Sequence, residues 1–470
     1  MELNINFYRK MRNTDNNIND MCISTSEKMM NDMSLFLLPT NNPSYSLLYA
    51  PLADSIMLVD KFEIFRLQKA ISNPTEADTE SLEVIKTLTD VVPIHEREGI
   101  VKNVSDFLNI SILPNNICNF SCSYCYSANG RDSRQINIEE LKNVVDFFFS
   151  ESRNSSPNLT VSIFGGGEPL LSWKNIVLPI VQYIDSITKE QNRTVRITII
   201  TNGSVVPEYF AEICLKYNID LVFSFEILKD IQNLQRKHFN QVHQNLIKLI
   251  SQGIVPAINS VITELNITRQ TEMIETLHSN YPKIKYASFE PVLNTAINNK
   301  SLFYKTFSLE FIKARNLALQ YGINLTCSVL RNVDVTVDRY CAGEFAVCAD
   351  GSISVCPCVS SPLDPEYYNY VYGKTTKQGV EIDEQRLHYM LSDNVNSQTL
   401  CKYCFAKWNC GGGCINERIR NNGQQRNEYC QFVRNFLKYT LAKRLDVIYK
   451  KDFNESITNY IGNYENFITE

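Results

Sequence analysis

From residue 107 onward, short apolar runs alternate with segments whose apolar residues recur every three or four positions. FLNISIL (107–113), LTVSIF (159–164), VRITII (195–200), LVFSFE (221–226), AINSVI (257–262) and IKYASFE (284–290) read as strands. Amphipathic helices separate them. Asn137 with Glu140 makes a capping-box-like start, and Ile138, Leu141, Val144, Val145, Phe148 and Phe149 follow at helical spacing. Further helices are expected from Trp173, near Pro207, over 240–252 with Gly253 closing it, and after Thr268. Six β–α alternations whose strands read as continuous apolar runs predict a parallel sheet with helices outside. Six units are too few for a closed eight-stranded barrel, so the expected core is a partial (β/α)6 TIM-like barrel over 105–335. Its reactive residues are expected at the C-terminal ends of the strands.

The flanks follow other patterns. Residues 1–34 are polar and asparagine-rich, which predicts poor order. SLLYAP and SIMLVD read as strands, and KFEIFRLQKAI and ADTESLEVIKTLTDVV as helices. Region 1–100 is therefore expected to hold a small α+β unit, winged-helix-like in its order of elements. After the barrel, a helix over 303–320 and the strand INLTCSVL lead into a cysteine-rich segment, 336–435. A helix over 431–449 runs into a tail, 436–470. No repeat of 20–50 residues is visible.

Composition narrows the class. The 470 residues carry a net charge of −5 with no basic half, so no nucleic-acid partner is expected. No apolar run approaches a membrane span of about 18–20 residues, and the first residues lack a secretory pattern. A soluble, cytoplasmic protein without a membrane partner is expected. Its 15 cysteines then stand out because they cluster. Three lie at Cys118, Cys122 and Cys125, nine between Cys341 and Cys430, and only Cys22, Cys214 and Cys327 stand alone. In a reducing compartment clustered cysteines read as metal ligands rather than disulfides. None of the five histidines is close to a cysteine pair, which favours iron–sulfur or four-cysteine zinc over mixed zinc sites.

The spacing of Cys118, Cys122 and Cys125 is C-x3-C-x2-C, with no further cysteine until Cys214. Three thiolates hold three corners of a [4Fe–4S] cube and leave one iron open, whereas structural zinc normally needs a fourth ligand. One strand later come Gly165, Gly166, Gly167, Glu168 and Pro169, where glycines permit close approach of a ligand and a carboxylate can receive an ammonium. With Tyr124 before the last cysteine, this pair of motifs resembles the radical S-adenosylmethionine (SAM) superfamily. The resemblance implies a cluster whose open iron is chelated by SAM and a one-electron cleavage that gives a 5′-deoxyadenosyl radical. It also implies a SAM amino group at Gly165–Glu168. Further matches follow the strands: Thr201 and Asn202 in T-N-G, Ser224 and Glu226 where relatives read S-x-D toward the SAM ribose, and Arg236 where relatives place an arginine on the SAM carboxylate. Glu290, ending the sixth strand, is the candidate residue facing substrate or cofactor; the alternative for it is a barrel-rim carboxylate.

Cys341, Gly351, Cys356, Cys401, Cys404, Cys410, Cys414 and Cys430 resemble the seven-cysteine SPASM domain, which implies two auxiliary [4Fe–4S] clusters. By that pattern Cys401, Cys404, Cys410 and Cys430 hold one, and Cys341, Cys356 and Cys414 the other. Cys358 or Cys348 is its candidate fourth ligand, unless that position is open. Two four-cysteine zinc sites are the alternative. Cys214, in a helix, and Cys327, in an apolar strand, read as packing residues, as does Cys22.

Enzymes with this combination mostly modify peptides or proteins. The resemblance implies a radical SAM peptide maturase acting on a ribosomally made precursor, with a ferredoxin or flavodoxin as electron donor and the N-terminal unit as a leader-peptide binder. An anaerobic sulfatase-maturating enzyme is the alternative, but that branch carries an aspartate directly after the G-x4-C cysteine, where this chain has Pro357. A non-catalytic zinc or iron–sulfur peptide-binding protein is the alternative from another class.

Overall fold

A computed structural model of the chain describes residues 23–90, 101–292, 297–333, 335–364, 367–415, 418 and 424–468. Cys22 lies outside them.

The N-terminal unit is α+β. Helix α1 (Ile23–Asp32) is followed by strands β1 (Phe36–Pro39), β2 (Tyr45–Ala50) and β3 (Ser55–Asp60), then helices α2 (Lys61–Ser72) and α3 (Thr79–Thr89). Poor order was expected through residue 34, yet α1 forms there. Met30 is buried against the unit's own core with Leu48, Val59, Leu67, Val84 and Leu88. The three strands make an antiparallel sheet in the order β1-β2-β3. Alternation along them serves two faces: Leu48, Ala50 and Val59 face the unit's helices, while Leu47, Tyr49, Ile56 and Leu58 join the main core.

The main sheet has eleven strands. Eight pair in parallel, and seven of these build the barrel: β4 (Asn109–Ile112), β5 (Asn158–Ile163), β6 (Thr194–Thr201), β7 (Ile219–Ser224), β8 (Ala257–Ile262), β9 (Tyr286–Pro291) and β10 (Asn324–Thr326). Between them run α4 (Ile138–Phe149), α5 (Leu178–Glu190), α6 (Phe210–Lys216), α7 (Lys229–Gln235), α8 (Phe239–Ser251), α9 (Gln270–Asn280) and α10 (Lys300–Gln320). The six expected strands and their helices form the partial barrel, with β10 as a seventh. INLTCSVL does not stay a strand, since after Thr326 the chain turns into α11 (Ser328–Val333), leaving Cys327 buried at the junction.

The strands are not apolar on both faces. Ile110, Ile112, Val161, Ile163, Ile197, Ile199, Phe223, Ile258 and Phe289 face the helices and are buried. Their neighbours Asn109, Ser111, Ser162, Thr198, Ser224, Asn259, Ser288 and Thr326 line up through the register on the opposite face. The same face also carries Ile200, Val222, Ala257 and Val261, so the inner wall is mixed, with hydroxyl and amide groups between apolar side chains.

Beyond β4 the sheet continues without a break. β11 (Phe345–Val347) pairs parallel to β4, and β12 (Ser352–Ser354), β13 (Val371–Thr376) and β14 (Gly379–Ile382) follow antiparallel. The helix Gln424–Phe453 extends the expected 431–449 helix at both ends. No helix of the described residues is long and apolar enough to cross a membrane.

Candidate functional site

The cysteine loop and the glycine motif are locked together by backbone. Gly167 N–H donates to Asn115 O (2.9 Å) and Glu168 N–H to Ile117 O (2.7 Å). A Cβ at Gly167 would lie 1.9 Å from Ile117 O, so no side chain fits there. Gly166 adds a left-handed φ of +63°. Asn115, fully buried, completes the joint by donating to Glu168 O (3.0 Å) and Ser172 Oγ (2.7 Å). Asn115 escaped the sequence reading because nothing marks an asparagine before the loop as a clamp.

Each thiol of the loop has an N–H donor beside it. Phe120 N and Asn202 Nδ2 approach Cys118 Sγ at 3.5 and 3.9 Å. Arg236 Nη1 lies 3.8 Å from Cys122 Sγ, and Arg131 Nη2 lies 3.1 Å from Cys125 Sγ. Arg131 also donates to Phe120 O, which ties both ends of the loop. It is a second residue the sequence reading passed over, and the signal available was a cation six residues past the last cysteine. Burial pushes the Cys118 and Cys122 thiols up; nearby Arg131 and Arg236 pull them back. Among the described residues no three His, Cys, Asp or Glu side chains converge where a single metal ion would sit. Three thiols in one loop are the donor set of a cluster in which each sulfur binds its own iron. Donors aimed at the sulfurs are the second shell that such a cluster uses.

Two carboxylates of the expected SAM site are spent inside the protein. Glu168 is 2 % exposed. It accepts from Thr201 Oγ1 (2.7 Å), Leu170 N (3.0 Å) and Asn202 N (2.7 Å). Burial raises its pKa, and these donors and Arg236 work against that. Thr201 and Asn202 are thus brought to the site, but as partners of Glu168 and, through Asn202 Nδ2 to Asn119 Oδ1 (3.0 Å), of the cysteine loop. Glu226 is fully buried and accepts from Tyr124 Oη, Arg236 Nε (2.7 Å), Ser260 Oγ (2.6 Å) and Val261 N (3.1 Å). Four donors of the chain itself thus hold the carboxylate expected near the SAM ribose. Ser224 stays on the inner wall beside Asn259.

Glu290 is likewise engaged. It accepts from Ser288 Oγ (2.5 Å), from Arg331 Nη2 (2.9 Å) and from Ser328 N (2.9 Å), which caps α11. A different inner-wall carboxylate, Glu344, went unread.

The C-terminal cysteines fall into groups. Cys410 senses the charges of Cys430, Cys404 and Cys401, and Cys341 those of Cys356 and Cys414. The neighbouring Cys358 and burial together push the Cys356 thiol well up. Cys348 is fully buried, with its sulfur 3.7 Å from Val359 O and 3.9 Å from Ala346 O. The Tyr126 hydroxyl lies within electrostatic reach of Cys358 and Cys356 on one side and Cys125 on the other.

Residues 112–276 match the radical SAM superfamily. The cysteine-type anaerobic sulfatase-maturating enzyme of Clostridium perfringens is 22% identical over 361 residues, covering 70% of this chain and 95% of that protein. The radical SAM cyclopropyl synthase TigE of Paramaledivibacter caminithermalis is 21% identical over 390 residues, covering 77% and 80%. The solved structure of native anSMEcpe with bound AdoMet shares the fold, with a TM-score of 0.59 at 19% identity over 72% of this chain and 98% of that one. The chain carries a radical SAM domain and is a radical SAM enzyme, homologous to anaerobic sulfatase-maturating enzymes and to the cyclopropyl synthase.

Proposed function

We propose that the protein modifies a peptide, using a [4Fe–4S] cluster held by Cys118, Cys122 and Cys125 and SAM seated beside it. The carrying observation is the set of three thiols, each with its own N–H donor, in the loop that follows β4. When bound, the cluster supplies the electron that splits SAM into methionine and a radical able to take a substrate hydrogen. The chain's own residues hold and orient. Arg131, Asn202 and Arg236 hold the sulfurs. Gly165, Gly166 and Gly167 leave room for a ligand to approach the backbone, and Glu168 fixes that backbone by binding Thr201 and Asn202. The SAM ammonium then meets backbone carbonyls of the glycine segment rather than the Glu168 carboxylate. Arg236, beside Cys122, is the cation for the SAM carboxylate.

Two auxiliary [4Fe–4S] clusters complete the proposal. Cys401, Cys404, Cys410 and Cys430 form one set and Cys341, Cys356 and Cys414 the other, as their mutual charges support. Cys358, two residues from Cys356, is the fourth ligand, and Cys348 packs against carbonyls. The N-terminal sheet, whose outer strands β1 and β3 each pair on one side only, offers an edge for a leader peptide. A ferredoxin or flavodoxin delivers the electron.

Peptide substrates are supported by a solved neighbour, native anSMEcpe with bound AdoMet and Kp18Cys peptide. Sulfatase maturation is the second reading, favoured by the Clostridium relative and opposed by Pro357. A sulfatase-derived cysteine peptide separates them: formylglycine in the product establishes the second reading, and an unchanged peptide under conditions of SAM cleavage removes it.

A further inference from the structure

The inner wall carries carboxylates on opposite flanks, Glu290 on β9 and Glu344 just before β11. They differ in what they have left to offer. Both oxygens of Glu290 are taken, one of them by the Arg331 cation. Glu344 uses only Oε2, which accepts from Ser111 Oγ (2.9 Å) and Asn109 Nδ2 (3.3 Å). Its Oε1 makes no hydrogen bond with a described residue, and no described lysine or arginine pairs with the group.

Its placement is set by the sheet. β11 runs parallel to β4 with Ala346 opposite Ser111, so Glu344 projects onto the same wall one level below, beside Asn109. Asn109 in turn accepts from Thr160 Oγ1 (2.8 Å) and Ser162 Oγ (3.3 Å), which makes a neutral hydrogen-bonded floor. From Asn109 to the start of the cysteine loop is about four strand residues, roughly 13 Å at ~3.3 Å each. Glu344 is partly buried, has the Cys341 and Cys356 thiols within electrostatic reach, and has no cation among the groups that shift it. Burial accordingly raises its pKa. A guest that brings a donor completes it.

We infer that Glu344 anchors the substrate residue in the barrel, and that this residue bears a hydrogen-bond donor on its side chain, as serine, threonine, cysteine or lysine does. The inference rests on the radical SAM peptide reading above and adds the substrate class. A site built to bond a donor rejects an apolar side chain of the same size far more strongly than an apolar pocket rejects a hydroxyl.

The test uses the full chain, reconstituted anaerobically with iron and sulfide, with SAM and a strong reductant. Capped Gly-Gly-Xaa-Gly-Gly peptides, deuterated at the Cβ of Xaa, are supplied at millimolar concentration. Xaa is serine, cysteine or lysine in one set and alanine, norvaline or norleucine in the other. The reading is deuterium in 5′-deoxyadenosine relative to the unlabelled 5′-deoxyadenosine that the same preparation makes. The expected result is transfer at least about tenfold higher from the donor set. Glu344→Gln should abolish that preference and Glu344→Asp should retain part of it. Equal transfer from both sets, an unaltered preference in Glu344→Gln, or no transfer from any peptide while 5′-deoxyadenosine still forms would overturn this inference alone. No 5′-deoxyadenosine at all would overturn the parent reading and this one with it.

Discussion

Glu226 ties the cysteine loop to two elements of the barrel. Its carboxylate gathers Tyr124 from the cysteine loop, Arg236 from the end of α7, and Ser260 and Val261 from β8. Removing one partner of a buried ion pair strands the other. Glu226→Ala is therefore expected to cost about 3–5 kcal/mol, measured as a fall in the chemical denaturation midpoint. A change under 1 kcal/mol would mean that Arg236 finds another partner. Gly167→Ala acts by a different route: the new Cβ meets Ile117 O at 1.9 Å, so the cysteine loop must move. Its expected signature is lowered iron after reconstitution, while secondary structure by circular dichroism is retained. Glu344 adds a pH dependence. Burial raises its pKa, only partly offset by Ser111 and Asn109. A carboxyl raised in the folded state contributes stability below its unfolded pKa and loses that contribution as pH rises through the folded value. Glu344→Gln should thus be more stable than the parent at neutral pH, and the gap should close as pH falls into the ordinary carboxylate range. Denaturation midpoints at pH 7 and pH 4.5 read it. At this scale the sequence made residue types and spacing legible but not partners. Glu168 and Glu226 were legible as carboxylates at the site, but the three and four donors that hold them were not.

At the scale of elements, strands with strong period-two or apolar signals were placed within a residue or two, as AINSVI shows by coinciding with β8. Short elements set by tertiary contacts were not. β1 is four residues long and exists because β2 pairs with it, and α11 exists because Glu290 caps it. The inner wall was misread for a related reason: Ser, Thr and Asn between Ile and Val still look like an apolar strand. The N-terminal unit is docked rather than tethered. Tyr49 Oη donates to Asn409 Oδ1 (2.8 Å), and Trp408 Nε1 donates to Ser34 Oγ (3.1 Å). Both contacts fall between Cys404 and Cys410. Tyr49→Phe is expected to cost about 1 kcal/mol, because Asn409 Oδ1 is left buried without that donor. Equal unfolding midpoints for Tyr49→Phe and the parent would show that the contact adds nothing to the docking.

For the whole molecule, one sheet runs from β10 to β14, so the barrel and the cysteine-rich segment form one continuous frame. Cys341, Cys356 and Cys358 flank β11 and β12 of that frame, whereas Cys401 to Cys430 follow its last strand. Three four-iron clusters correspond to about twelve iron atoms per chain, whereas zinc sites would give about two zinc and no iron. The central claim is tested most directly by incubating the anaerobically reconstituted full chain with SAM and a strong reductant and quantifying 5′-deoxyadenosine against a Cys122→Ala control. The account predicts 5′-deoxyadenosine from the parent and none from the control. A parent protein that carries its iron yet leaves SAM intact would contradict it.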